Sequence, residues 1–431
     1  MLSHDNYVWT AKMAMDADLK MLIEKNVNIR AVSYLPLSHV AAQYADIFLT
    51  LANGASVFFT DANALRGTLI DYLLEVKPVI FLGVPRIYEK MEEKVRAALE
   101  KKPFIYKWAT HYGKIGTDLE MKNKAPPVMF NVINKIVFNK VKQQLGFDEC
   151  VKFFSGAAPL PMRTRDFFFN LNIFINNTFG MSETSGPMTS MLKEDHPWYD
   201  LTSAGRALPG TEVVVVKTDP NAESGELCFR GRNIFMGYLK NEQATRDCID
   251  NQRRVHSGDE GKVSPTGMMT ITGRIKELLV TAGGENVAPV IMETLVKEEL
   301  PILSNVVCIG DQMKYIAALL TLKVTSNANE LPNHQLTPEA VEWLQRHNVK
   351  DVTTVQDAIQ NKAVQKLIQD GIDRANKKAV SNAAKIKAWQ VIPDDFSIPG
   401  GEFTPTLKMK RSVITKKYAK NILDIYSRPE L

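Results

Sequence analysis

Hydrophobic and polar residues alternate along the chain with two different periods. Five short apolar runs predict buried strands, at residues 30–35, 56–60, 79–82, 151–154 and 173–176. Apolar residues at helical spacing predict amphipathic helices between them, for example at residues 86–99 and 161–169. The opening MLSHDNYVWT reads as a polar helix start that runs into an amphipathic helix. Strands alternating with helices in this way are typical of a layered α/β sheet.

The pattern changes from residue 211 onward. The runs VVVVK, GELCFRG, RRVHSGD and MMTITG are short β segments separated by turn residues, which predicts a β subdomain at about residues 200–272. A helix near residues 290–299, two strands and long helical patterns in residues 338–387 then predict a second α/β unit. We therefore expect a large domain at residues 1–273 and a smaller one at residues 274–431.

Composition places the chain among globular proteins. Its 431 residues are 45% hydrophobic and 23% charged, and the net charge of +5 is spread without a block that would suggest a nucleic-acid arm. The four cysteines lie far apart without a CxxC pair, which favours reduced thiols in the cytoplasm. No signal peptide or membrane span is predicted, nor an amphipathic anchor beyond ordinary helices.

Two loops follow predicted strands and carry candidate chemistry. SGAAPL, at residues 155–160, includes Gly156 and Ala157, whose small size would let a flat ring approach the backbone, although a plain tight turn fits as well. NTFGMSETSG, at residues 177–186, offers an aromatic ring, glycine backbone, hydroxyls and the carboxylate of Glu183. This mixture suits a nucleotide with Mg²⁺, and a simple helix N-cap is the alternative interpretation.

Three further segments are ambiguous when each is taken alone. HSGD places Asp259 in a glycine-flanked turn, where a carboxylate either accepts from ribose hydroxyls or forms an Asx-turn. GRIKELLVTAGGENVAP sets Arg274 beside glycine-rich backbone at Gly283 and Gly284, which favours phosphate or else a solvated linker. FTPTLKMKR carries Lys408 in what is commonly a basic surface strand.

Together with LPLSH at residues 35–39, these motifs resemble in order and spacing the AMP-forming, adenylate-forming synthetases. Within that family the chain is most similar to long-chain acyl-CoA synthetases of the bubblegum type, over essentially its whole length. The resemblance implies the adenylate-forming synthetase fold, with an incomplete large α/β domain and a smaller mobile C-terminal domain. It also implies that a long-chain fatty acid reacts with ATP to form acyl-AMP, from which CoA then displaces AMP.

The resemblance assigns roles to individual residues. Lys408, Glu183 and His39 correspond to the catalytic lysine, the Mg²⁺ ligand and a histidine near the acyl carboxylate, and a structural role for His39 fits equally well. Asp259 and Arg274 match the ribose clamp, and Gly283 and Gly284 lie in the segment that faces CoA. The expected nucleotide contacts are Gly156, Ala157, Thr178, Phe179, Gly180, Met181, Ser182, Glu183 and Thr184.

Some positions depart from the family pattern. Phe179 and Ser182 stand where Tyr and Thr are usual, and Lys276 replaces a common hinge aspartate. In the family a Ser/Thr/Gly-rich phosphate loop precedes the residues that match MLSHDN, so we expect a shortened form with weak or absent ATP/pyrophosphate exchange. A silent nucleotide or acyl-CoA binding remnant and a carrier-loading enzyme are the alternatives. The expected location is the cytoplasm or the surface of the endoplasmic reticulum or other membranes, without a nucleic-acid partner.

Overall fold

The computed structural model describes the chain except residues 62, 192–201, 218, 220, 328–330 and 429–431. The chain forms two compact units, Met1–Ile271 and Thr272–Leu431. Both units combine helices with sheets, which confirms the predicted α/β class. Within the described ranges, no helix has the length and apolarity that a membrane-crossing segment requires.

The helices and strands of the first unit follow the predicted alternation. The helices are α1 (His4–Ala14), α2 (Lys20–Glu24), α3 (Val40–Ala42), α4 (Leu49–Asn53), α5 (Leu69–Val76), α6 (Pro85–Glu100), α7 (Pro103–Met121), α8 (Val128–Ile133), α9 (Asn139–Gln144), α10 (Met162–Phe169) and α11 (Glu242–Cys248). The strands are β1 (Arg30–Ser33), β2 (Ser56–Phe59), β3 (Ile80–Gly83), β4 (Lys152–Ser155), β5 (Ile175–Asn177), β6 (Gly180–Met181), β7 (Gly186–Pro187), β8 (Thr189–Ser190), β9 (Arg206–Ala207), β10 (Thr211–Val216), β11 (Gly225–Gly231), β12 (Val255–Val263) and β13 (Met269–Arg274). The five strands predicted before residue 180 are present, with ends shifted by one or two residues.

Single helical turns of other types connect several of these elements. Five-residue or six-residue π-helical segments occur at Met15–Leu19, Gln43–Phe48 and Asn134–Phe138, and 3₁₀ turns occur at Ala64–Arg66 and Ser182–Thr184. The predicted start of the first helix is confirmed, since the Ser3 hydroxyl accepts from the Asn6 amide in a capping box.

Parallel strands form the layer that positions the candidate site. β1 pairs with β2, and β3, β4 and β5 pair in that order, all in parallel. The Val79 amide donates to the Arg30 carbonyl at 2.9 Å, which places β1 next to β3. Both faces are covered, because Phe81 packs with α5 to α10 in one core while its neighbour Ile80 packs with α1 and α2 in another.

The β subdomain is an antiparallel sheet with the order β10-β11-β12-β13. Its pairing is interrupted where β12 has extra residues opposite the interval between Glu226 and Cys228 of β11. Gly258 lies within this bulge at a φ of +70°, a conformation that glycine adopts without strain.

The second unit is a smaller α/β layer. Its central sheet has the order β16-β17-β20, in which β17 pairs antiparallel to β16 and parallel to β20. The strands are β14 (Leu279–Val280), β15 (Asn286–Val287), β16 (Leu303–Ile309), β17 (Ile316–Leu322), β18 (Val324–Ser326), β19 (Pro332–Leu336) and β20 (Ile386–Val391). The helices are α12 (Pro289–Glu299), α13 (Pro338–Arg346), α14 (Val355–Gln360), α15 (Lys362–Asn376), α16 (Arg411–Lys417) and α17 (Ala419–Tyr426), and a 3₁₀ turn spans Ile275–Glu277.

The close packing of α7 on α8 depends on Gly116. A Cβ atom at Gly116 would lie 2.0 Å from the ring of Phe130, which is fully buried in the core. We predict that Gly116→Val lowers the free energy of unfolding by about 1–3 kcal/mol, because the ring has no free space into which to move. Denaturant unfolding of the whole chain followed by circular dichroism measures this. The control Lys114→Val, at an exposed position of the same helix, should leave stability unchanged, and equal losses in the two variants would contradict the packing argument.

Candidate active site

The two loops selected from the sequence lie side by side. β4 and β5 end at the same edge, with Ser155 opposite Asn177, and the Thr178 amide donates to the Ser155 carbonyl at 2.8 Å. A Cβ atom at Gly156 would lie 3.1 Å from the Thr178 hydroxyl, so even an alanine there would require the Thr178 side chain to shift slightly. Ala157 has a φ of +71°, which is uncommon for a residue with a side chain. Such strained backbone is often found at functional sites.

The second loop is a tight hairpin and not the start of a long helix. β6 pairs with β7, and the Thr184 hydroxyl donates to the backbone carbonyl of Gly186 and lies 3.0 Å from that of Met181. Thr184 is fully buried, so in this structure its hydroxyl holds the turn together. Ser182 at the tip is exposed and Glu183 is half-buried, which leaves these two side chains accessible to a ligand.

Phe179 is half-buried beside the same hairpin. Its ring centre lies 5.7 Å from that of Phe229, and the two planes are tilted by 31°. The Phe179 amide donates to the Thr189 hydroxyl and its carbonyl accepts from Met188, so the backbone of this residue is fixed from both sides. The ring is therefore held in one place by the adjoining β subdomain.

An apolar cavity borders these loops. Gly156, Ala157, Thr178 and Gly180 lie at one part of its wall. The remaining wall comes mainly from the first helices, β1, the segment after His39 and β3, including Ala14, Leu19, Ala31, Val32, Leu35, Val40, Ala45, Leu49, Ile80, Leu82 and Val84. The cavity therefore combines an apolar body with a small, backbone-lined end.

Two carboxyl groups also line this cavity, that of the buried Asp18 and that of the half-buried Asp46. Burial raises the pKa of Asp18 to about 6, although Lys152 and the hydroxyl of Ser190, which donates at 2.9 Å, act in the opposite direction. Burial likewise raises the pKa of Asp46 to about 6, and the Ser33 hydroxyl donates to it at 2.7 Å. Both shifts have the same physical cause, since an apolar environment disfavours the ionised form.

His39 lies at the cavity wall and also caps a helix. Its Nδ1 accepts from the Ala41 amide at 3.1 Å at the N-terminus of α3, which places the proton of the neutral ring on Nε2. The two roles left open by the sequence are thus compatible in this structure. The role of His39 near an acyl carboxylate stays a prediction.

Glu183 has a partner that sequence reasoning missed. The Tyr238 hydroxyl donates to Glu183 Oε1 at 2.7 Å and also lies 3.8 Å from the Cys248 sulfur. Burial and then the bond to Glu183 raise the pKa of Tyr238, so its hydroxyl stays protonated and remains a donor. The two residues are 55 positions apart, and no spacing rule in the sequence connects them.

Asp259 does not lie in a turn, which corrects the expectation from its flanking glycines. It belongs to the continuous strand β12, within the bulge, and it is only 3% exposed. Glu226 holds this bulge, since its carboxylate accepts from the Gly258 amide at 2.9 Å and lies 2.7 Å from His256 Nδ1. A bulge turns a strand residue away from its regular direction, which explains why a turn motif occurs inside a strand.

Cys228 and His256 are closer than their spacing in the sequence indicates. They are direct cross-strand partners, and Cys228 Sγ lies 3.5 Å from His256 Nδ1. The Glu226 carboxylate already binds the same nitrogen at hydrogen-bond distance. We interpret this group of side chains as a brace for the bulge that carries Asp259.

Three candidate residues lie at the start of the second unit, namely Arg274 at the end of β13 and Gly283 and Gly284 on the β14–β15 hairpin. Arg274 ends β13, and its guanidinium is 3.9 Å from the Glu277 carboxylate. Gly283 and Gly284 are exposed in the turn between β14 and β15, where Gly284 has a φ of +80° and a Cβ atom would meet nothing within 4 Å. The turn is therefore bare backbone that another molecule can approach closely.

Lys408 lies in a tight turn and not in the basic surface strand that its neighbours suggest. The Thr404 amide donates to the Lys408 carbonyl at 2.8 Å, and the Lys408 amide donates to the Thr404 hydroxyl at 3.0 Å. Arg411, three residues later, is anchored by a bidentate pair with Glu293 of α12, at 2.7 and 3.0 Å. This anchor fixes the base of the turn while the Lys408 side chain is exposed.

The geometry agrees with comparisons to known families. A model of AMP-binding enzymes matches residues 1–239, and a model of the AMP-binding enzyme C-terminal domain matches residues 276–358. The chain therefore belongs to the AMP-binding enzyme family, which confirms the resemblance drawn from its motifs.

Within this family, the chain is similar to curated long-chain-fatty-acid–CoA ligases. It is 44% identical to ACSBG2 of Gallus gallus, 42% identical to ACSBG2 of Homo sapiens and 41% identical to ACSBG1 of Bos taurus. Each alignment covers 99% of this chain but only 56%, 64% and 59% of the respective relative. The chain thus spans between 56% and 64% of the length of these relatives.

Solved structures support the fold. The adenylation domain of a carboxylate reductase from Mycobacterium chelonae matches with a TM-score of 0.65 and 20% identity, over 91% of this chain and 53% of that one. The o-succinylbenzoate CoA synthetase from Bacillus subtilis, in complex with its acyl-adenylate, matches with a TM-score of 0.61 and 16% identity, over 96% and 65%. The predicted adenylate-forming synthetase fold is confirmed.

The buried carboxyl groups predict a pH dependence of stability. A carboxyl whose pKa is higher in the folded than in the unfolded chain favours folding when it is protonated, so its contribution is lost as pH rises from about 4 to about 6. For Asp18 this amounts to on the order of 2–3 kcal/mol. We predict that Asp18→Asn is more stable than the parent chain at pH 7 and that the difference disappears near pH 4. Urea unfolding at a series of pH values measures it.

Asp16→Asn provides the control for this measurement. Asp16 lies two residues away on the same helical segment and is exposed, so its replacement should change stability equally at all these pH values. A pH-independent effect of Asp18→Asn would show that Asp18 is ionised without penalty in the folded chain.

Proposed function

We propose that this chain acts in a long-chain fatty acid–CoA ligase, which activates a fatty acid as acyl-AMP and transfers the acyl group to CoA. The observation that supports this most directly is the apolar cavity, which ends at the two loops after β4 and β5. An alkyl chain would gain about 0.8 kcal/mol for each methylene buried in such a cavity. The names of the similar curated relatives point to the same substrates.

The proposal places the acyl carboxylate at the backbone-lined end of the cavity. Gly156, Ala157, Thr178 and Gly180 would contact the mixed anhydride of acyl-AMP, and the Phe179 ring would stack on adenine. His39, at the same wall, can donate from Nε2 toward the carboxylate, because its Nδ1 is occupied by the Ala41 amide. The carboxylate oxygen would attack the α-phosphorus of ATP and release pyrophosphate.

Glu183 is the residue proposed to hold Mg²⁺. A half-buried carboxylate next to the exposed Ser182 hydroxyl fits a cation that prefers oxygen ligands and keeps waters and phosphate oxygens in its coordination shell. The bond from Tyr238 occupies Oε1 and leaves the second oxygen for the metal. When bound, the metal would neutralise phosphate charge, while Ser182 and the loop backbone orient the phosphates.

The remaining roles follow the family resemblance. Asp259 and Arg274 are proposed to bind the ribose, and Met181 and Thr184 shape the nucleotide loop. Lys408 would supply a cation during adenylation, and the bare turn at Gly283 and Gly284 would accommodate CoA in the second step. An assay with palmitate, ATP and Mg²⁺, with and without CoA, tests the proposal, and nucleotide binding without acyl transfer would favour a silent binding protein.

The cavity should determine binding of the acyl part separately from the nucleotide. We predict that Ala45→Phe, which places a ring at the cavity wall, weakens binding of a non-hydrolysable palmitoyl-adenylate analogue at least about tenfold, because two or more methylenes of the acyl chain lose their burial. Binding of AMP, which has no acyl chain, should be unchanged. Titration calorimetry with both ligands measures this. Ala125→Phe, at an exposed position, is the control, and an equal loss for AMP and the analogue would argue against an acyl role of the cavity.

Tyr238 should act as a positioning residue for Glu183. We predict that Tyr238→Phe weakens Mg²⁺-dependent ATP binding about tenfold, as is typical when a partner of a metal-binding carboxylate is removed, without altering metal-free AMP binding. Cys248→Ser is the matched control, since it changes the second neighbour of the Tyr238 hydroxyl, at 3.8 Å, and keeps the Tyr238–Glu183 bond. Identical Mg²⁺ titrations of Tyr238→Phe and the parent chain would remove Tyr238 from this role.

A further inference from the structure

Helices α7 and α8 carry apolar side chains on the surface of the first unit. Phe104 is 89% exposed and Trp108 is 57% exposed on α7, while Val128 is 81% exposed at the start of α8. Ile136, in the π-helical segment that continues α8, is 55% exposed. Exposed apolar residues of this size, gathered on two neighbouring helices, indicate an interaction surface.

These side chains occupy the face of each helix that points away from the core. In α7, Phe104 and Trp108 are one helical turn apart, whereas Ala109 and Gly116 on the other face are buried. In α8 and the segment after it, Val128 and Ile136 are exposed, whereas Phe130 packs inward on Gly116. Both helices therefore carry large apolar side chains on their exposed surface as well as on the face that the core covers.

Positive charge is concentrated in the same segment. Residues 101–142 contain nine lysines but only one aspartate and one glutamate, a net charge of +7, whereas the whole chain carries +5. Lys101, Lys102, Lys107 and Lys114 are exposed on or next to α7. The positive character of the chain thus belongs to this region, and the rest of the chain is slightly acidic.

We propose that this α7–α8 surface, formed by Phe104, Lys107, Trp108, Lys114, Val128 and Ile136, binds the surface of an anionic lipid bilayer. Apolar side chains that include a tryptophan, flanked by lysines, match the chemistry of the bilayer interface, where rings enter the headgroup region and ammonium groups contact lipid phosphates. Long lysine side chains can keep their charge in water while their stems cover apolar surface. Charge complementarity favours this occupant over an apolar protein surface, which would leave the lysines without partners.

The inference is independent of the proposed ligase activity, because lipid binding is measured without substrate. The whole chain is sedimented with vesicles of phosphatidylcholine alone and with vesicles that also contain about 30% phosphatidylserine. The phosphatidylserine gives the second kind of vesicle a negative surface potential. We expect binding to the anionic vesicles that decreases as salt is raised, since screening weakens the lysine contribution. Quenching of tryptophan fluorescence by brominated lipids should be lost in Trp108→Phe.

The double variant Phe104→Glu/Trp108→Glu tests whether the apolar side chains of the α7–α8 surface contribute to vesicle binding. This double variant should bind anionic vesicles at least about tenfold more weakly than the parent chain. Val380→Glu is the control, because Val380 is 77% exposed in the second unit and the same change there should have no effect. Circular dichroism verifies that each variant is folded. Absence of vesicle binding by the parent chain, or equal binding by the double variant, would overturn the proposal and leave a protein partner as the occupant of this surface.

Discussion

The parallel pairing of β4 with β5 is the constraint on which the candidate site depends. Both strands run in the same direction and end at the same edge, so Ser155 and Asn177 are neighbours. The loops that follow the two strands therefore begin side by side. The bond from Thr178 to Ser155 then joins the two loops. Without this pairing, the glycine-rich backbone, the phenylalanine ring and the carboxylate would be unrelated parts of the surface.

The cavity beside these loops combines apolar walls with two carboxyl groups. Asp18 and Asp46 lie in its wall, each with a hydroxyl donor, in surroundings that disfavour ionisation. A carboxyl group in such a place costs stability near neutral pH. Its presence beside an apolar cavity indicates that this wall is not optimised for packing alone.

Several site features were predictable from the sequence because they depend on local order. The strands before SGAAPL and NTFGMSE, the helix that begins at Pro289 and the order of motifs required only periodicity and turn chemistry. Asp259 and Lys408 were placed in the wrong local structure. The glycine beside Asp259 lies in a β-bulge, which Glu226 of the neighbouring strand stabilises. The turn that carries Lys408 is held by the ion pair between Arg411 and Glu293. In both cases the local structure depends on a partner that is distant in the sequence.

The sequence by itself determined the class of the protein, because alternating hydrophobic periods and ordered loop motifs are properties of the chain read in one direction. Only the tertiary structure decided which residues meet, as with Tyr238 and Glu183, and which apolar residues remain outside the core. Phe104 and Trp108 read as ordinary members of an amphipathic helix, and no local pattern tells which face the fold will cover. The physical reason is that burial depends on the neighbours supplied by the rest of the chain, here the packing of Phe130 on Gly116, which turns the other face of α7 outward.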